Sequence, residues 1–153
     1  MGRWFDAVAG LLGGRAKMAF EGQAAMLLEG LADGAGAADE LRDGWVATAD
    51  RLDLLPLAAS LVDETDPRRG ARRFHATLIA ALDDWVGAAA RDCGLRRVVL
   101  GGGCFLNCIL SDGLRERLLA RGLQVWEAAQ APPNDGGLSL GQAWVAQRAV
   151  ETD

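Results

Sequence analysis

The last third of the sequence constrains the fold most. "RRVVLGGG" is a short run of β-branched residues that stops at three consecutive glycines, and "FLNCILSDGLRERLLARG" after it has helical periodicity and ends at Gly122. "LQVWEA" is again short and apolar, and "GGLSLGQAWVAQRAV" closes the chain as an amphipathic helix. Strand, glycine turn, helix, strand, loop, helix is the order of an α/β layer, because a crossover that holds a helix lets successive strands run parallel. Ligands of such layers sit beyond the carboxyl ends of the strands. Here those ends are the "GGG" turn and the "APPNDGG" loop.

The preceding two thirds are helical. "GRWFDAVAGLLGG" spaces Trp4, Phe5, Val8, Leu11 and Leu12 as a helix and stops at Gly13-Gly14. "EGQAAMLLEGLAD" predicts a second helix with Met26, Leu27 and Leu31 on one face, and "DGAGAADE" a polar loop. A short strand or two and a helix entered near Pro56 follow. Asp66-Pro67 then opens a long helix that closes at Gly94 and buries Phe74, Leu78, Ile79, Leu82, Trp85 and Val86.

A chain of 153 residues is one domain's worth and buries enough surface for a core of its own, so residues 1–153 are expected to form a single domain. A formal charge of −5 argues against nucleic acid as a partner, since phosphate-backbone binders carry a basic face. No apolar run approaches the roughly 20 residues of a membrane crossing, and no signal-peptide pattern opens the chain. Three cysteines, Cys93, Cys104 and Cys108, form no framework, and the expectation is a cytoplasmic protein.

Gly101, Gly102 and Gly103 follow a strand, where glycine lets a ligand approach the backbone and the next helix offers free N–H groups. They are a candidate nucleotide site; the structural alternative is that they let the helix pack tightly on the strand. No Gly-Lys-Ser/Thr follows for a P-loop, and Leu106 stands where a dinucleotide fingerprint needs a small residue. In "PPNDGG" the prolines fix an extended approach, and Asp135 either caps the following helix or holds a cation.

Five blocks in order, "GRWFDAVAGLLG", "FEGQAAMLLEGLA", "RRFHATLIAAL", "VVLGGGCFLN" and "APPNDGGLSLGQA", resemble the C-terminal part of the HypF family of carbamoyltransferases, which mature nickel–iron hydrogenases. The resemblance covers essentially the whole chain. It implies a Kae1-like domain with the actin/Hsp70/hexokinase-type ATPase fold, of which this chain is the second lobe, helix-rich with a short parallel-containing sheet. It implies that Asp6 bonds ribose hydroxyls and that Glu21 and Gly22 lie near the same ribose. By the same resemblance Gly102 and Gly103 admit the nucleoside and the Asn107 amide reads it. Asp135 would complete a divalent metal site (iron, zinc or magnesium) with two histidines from a His-x-x-x-His pair on the first lobe.

The chain's one histidine, His75, falls on a helix position of the family and is expected to pack or hydrogen-bond; with the cysteines it matches no zinc spacing. Cys104 and Leu106 replace the valine and glutamine common in the family's block. In the full family, the resemblance implies, carbamate is adenylated with ATP and the carbamoyl group passes from carbamoyl-adenylate to a cysteine of a partner maturation protein. The second lobe alone is expected to bind nucleotide without turnover, as a part of a larger protein or a shortened product. The alternative is a stand-alone nucleotide-binding or interaction module, with an exposed lobe face that supports a homodimer.

Overall fold

The structure is a computed structural model that describes residues 1–14, 17–34, 36 and 39–150. Helix α1 (Gly2–Leu11) turns inward Phe5, Val8 and Ala9, spaced i, i+3, i+4. Helix α2 (Gln23–Ala32) buries Ala24, Leu28 and Ala32. That line differs from the predicted one: Met26 and Leu27 face outward, and Leu31 is only partly buried. Two alanines on the i, i+4, i+8 line let α2 lie close to its neighbours, which the bulkier side chains would prevent.

A two-residue antiparallel ladder, β1 (Val46–Ala47) with β2 (Leu52–Asp53), precedes α3 (Leu55–Leu61), which has Pro56 in its first turn. Helix α4 (Pro67–Asp92) is the axis of the molecule. Asp66 caps it, the carboxylate accepting from Arg68 N at 3.0 Å, and Gly94 in the left-handed region follows its end. Phe74, Thr77, Leu78 and Ala81 on α4 are fully buried, and Phe5 meets Phe74 edge-on at 5.1 Å. The burial of α4 is wider than the predicted stripe, because α1, α2, α3 and a further helix, α5 (Cys108–Ala120), pack around it.

Strands β3 (Arg97–Leu100) and β4 (Gln124–Glu127) pair in parallel, Val98 opposite Val125 and Val99 opposite Trp126. Val98, Leu100 and Val125 face the core; Val99 and Trp126 face outward, 75% and 60% exposed. Helix α6 (Leu138–Val150) has no buried residue. One helix begins later than predicted: Gly103–Leu106 form a 3-10 turn, and α5 starts at Cys108, after the extended Asn107. No helix among the described residues is long and apolar enough to cross a membrane.

Candidate functional site

The two glycine loops meet. Gly102 N donates to Pro133 O at 2.7 Å, which ties the turn after β3 to the loop after β4. Gly102 has φ +104, a conformation that side chains rarely adopt, so the turn depends on glycine there. A Cβ on Gly103 would stand 3.6 Å from the Asn134 Cβ, so the loops approach each other at a second point with room for little more than a methyl group between them. Between them opens a cavity of about 960 Å³ at the carboxyl ends of both strands, lined by Gly101, Gly102, Asp135, Gly137, Trp126 and Gln142 among others.

The cap of the second loop falls to Asn134, not to Asp135 as the sequence allowed. Asn134 is extended and its Oδ1 accepts from Gly136 N at 3.1 Å; Asp135 already lies inside the 3-10 turn, past the position from which a side chain reaches back. The Asp135 carboxylate is exposed and makes no hydrogen bond or ion pair with a described residue.

Beneath the first turn lies a polar cluster. Asn107 is 7% exposed and His75 1%. Asn107 Oδ1 accepts from Leu110 N at 2.8 Å as the cap of α5, and its Nδ2 lies 3.1 Å from His75 Nε2. The other ring nitrogen, Nδ1, is 2.8 Å from Ala71 O. Burial pushes the His75 pKa down, against smaller opposing effects of the Ala71 carbonyl and of Glu29. Both ends of the Asn107 amide therefore have partners within the fold, in addition to the nucleoside role that the resemblance implies for it. Glu29 was not singled out by its spacing, yet its Oε1 accepts from Cys108 N at 2.6 Å and satisfies an N–H at the start of α5. The bond spans 79 residues of sequence, so no local pattern announces it.

The remaining candidates sit around this centre. Asp6 is exposed on α1, whose first residue abuts the turn: a Cβ on Gly2 would lie 4.0 Å from Cys104 Sγ. Glu21 is exposed, and Gly22 caps α2 with φ +79. Those two lie at the opposite end of α2 from Glu29, roughly 10 Å along the axis at 1.5 Å per residue. Gly102, Gly103, Asn107 and Asp135 are thus brought together, Asp6 lies on a helix that reaches the turn, and Glu21 and Gly22 stand further off. Among the described residues no three His, Cys, Asp or Glu side chains gather as a metal site, and one carboxylate is too small a donor set to hold a resident ion.

A helix-rich α/β unit with a small parallel sheet and a ligand-sized cavity at the strand ends is the class of protein that fold and site define. The chain belongs to the family described as the carbamoyltransferase, Kae1-like domain, second subdomain, which matches residues 1–142. It is 52% identical to carbamoyltransferase HypF2 of Cupriavidus necator, with 97% of this chain and 22% of the relative covered. It is 43% identical to carbamoyltransferase HypF of Rhizobium leguminosarum bv. viciae, with 98% and 20% covered. Among solved structures, a full-length HypF in its phosphate- and nucleotide-bound form matches with a TM-score of 0.84 and 36% identity, over 99% of this chain and 20% of that one. The chain spans about a fifth of the length of these relatives.

Proposed function

We propose that this chain is the second lobe of a carbamoyltransferase domain of the actin/Hsp70/hexokinase type and carries one half of a site for ATP and carbamoyl-adenylate. The observation that carries the reading is the Gly102–Pro133 hydrogen bond, which joins both glycine loops into one wall of the strand-end cavity. The nucleotide-bound state of the matching HypF structure supports it. The Gly101–Gly103 backbone gives the adenylate close approach, and the Asp6 carboxylate, which bonds no side chain among the described residues, accepts from a ribose diol. Transfer of the carbamoyl group to a cysteine of a hydrogenase maturation partner requires that a mixed anhydride be kept from water, so a facing lobe has to close over this wall. Asp135 contributes to a divalent metal only together with two histidines from that lobe.

The test is calorimetric titration of the chain with ADP. Half of a two-sided site binds weakly, and Asp6→Ala removes the binding without lowering the melting temperature. Tight binding that survives Asp6→Ala contradicts the reading. The exposed Leu138 and Val145 of α6, which line the same cavity as the exposed Val99 and Trp126, favour a second reading, an interaction module that pairs with a second copy through this face. Light scattering decides it: a dimer supports the module, and a monomer at high concentration removes it.

A further inference from the structure

We propose that His75 is a positioning residue for the glycine turn: its ring fixes which end of the Asn107 amide caps α5, and through that cap the path by which the turn enters the helix. The functional weight of the proposal rests on the nucleotide reading above; the polarity argument does not.

That polarity follows from the chemistry of the four groups in line. Ala71 O only accepts, so His75 Nδ1, 2.8 Å away, carries the proton. A neutral ring then has a bare Nε2, which accepts from Asn107 Nδ2 at 3.1 Å. With its NH₂ committed, the amide presents Oδ1 to Leu110 N at 2.8 Å, the only orientation in which the cap exists. Turned over, the amide would set a donor against the buried Leu110 N–H and an acceptor against Nε2. Phe5 and Phe74 hold the imidazole edge-on, with centroids at 5.8 and 5.4 Å, and oppose its rotation.

The backbone carries this order into the turn. Asn107 N donates to Cys104 O at 3.2 Å and Phe105 N to Gly102 O at 3.1 Å, so the residue that caps α5 also closes the 3-10 turn that Gly102 opens. A second ring proton would place N–H at Nε2 against the Asn107 NH₂ and force the amide over, at the expense of the cap. The ring's burial disfavours that proton. Among the described residues the charged groups facing this region are Glu29 from α2, Arg72 from α4 itself, and Glu116 and Arg117 from α5; from α1, Phe5 packs against the ring.

As His75 is the one histidine, its ring nitrogens can be read without ambiguity by long-range proton–nitrogen correlation on the labelled full chain. The expected spectrum is a neutral ring protonated at Nδ1, with no titration at the ordinary imidazole pKa. His75→Leu and Asn107→Ala should each speed hydrogen exchange of the Leu110 amide by about five-fold or more, the worth of a lost cap. His75→Gln, whose Oε1 can accept from Asn107, should restore much of the protection and of the ADP affinity that His75→Leu loses. Asn107→Asp keeps an acceptor for Leu110 but turns a second one to the ring, and should draw a proton onto Nε2 and raise the His75 titration. A ring protonated at Nε2 in the unmodified chain, or Leu110 exchange indifferent to His75→Leu, would overturn the proposal. If His75→Leu does not fold, the tautomer and the Asn107→Asp titration decide. Failure of the unmodified chain to bind ADP would sink the nucleotide reading and leave these two results to judge the positioning role.

Discussion

Asp6 and Asn107 stand for two kinds of side chain at this site, and stability separates them. Asp6 is exposed and its side chain makes no bond with a described residue, so Asp6→Ala should change unfolding free energy by less than about 0.5 kcal/mol. Asn107→Ala removes the α5 cap and leaves His75 Nε2 unpaired inside the fold, and should cost about 1–3 kcal/mol in urea denaturation. His75 adds a pH dependence of known sign. Its folded pKa lies below the ordinary 6.5, so on acidification the unfolded chain takes a proton first and the native state loses stability as pH falls below about 6.5. The urea midpoint should drop between pH 7.5 and 5.5, and His75→Gln should remove that part of the slope. The resemblance singled out the Gly-Gly-x-x-x-Asn element, and the sequence led us to expect His75 to pack or hydrogen-bond, as it does. It did not show that the two belong together, because a contact over 32 residues between separate helices leaves no local pattern.

At the scale of elements, α4 shows what is legible and what is not. Its start was readable, since an Asp-Pro pair before an apolar periodicity is a local device, and so was its end at a left-handed glycine. The inward face of α2 was not, because Ala24, Leu28 and Ala32 outrank the larger Met26 and Leu27 only once close packing is known. The start of α4 also carries a carboxylate of unusual acidity. Glu64 is held at about 2, first by the hydrogen bonds from Arg69 at 2.8 Å and then by Asp66 N. Its contribution is complete above the ordinary 4.5 and disappears as pH falls toward 2, so Glu64→Gln should flatten the acid limb of the urea midpoint in that window. At the other end, Arg121 bonds Asp83 in a fork, 2.5 and 2.8 Å, and holds α5 to α4. Asp83 is nearly buried, and Arg121→Ala should cost about 1–3 kcal/mol by leaving it unpaired.

At the scale of the molecule, one core joins α1 through α5 to the inner face of β3 and β4, while the outer face of the sheet and all of α6 stay exposed. The α/β order and the parallel pair were legible because strand, turn and crossover lie consecutively in sequence. That both glycine loops lie at one end of the parallel pair was legible too; the bond that joins them was not, since it depends on how β3 and β4 align, and Gly102 reaches Pro133 across 31 positions. That meeting is the central claim, and nuclear magnetic resonance mapping of ADP onto the labelled chain tests it most directly. Amide shifts should concentrate at Gly101–Gly103 and at Asn134–Gly137 together. Shifts confined to one loop, or gathered around Arg91 and Arg96 at the opposite end of the strands, would contradict it.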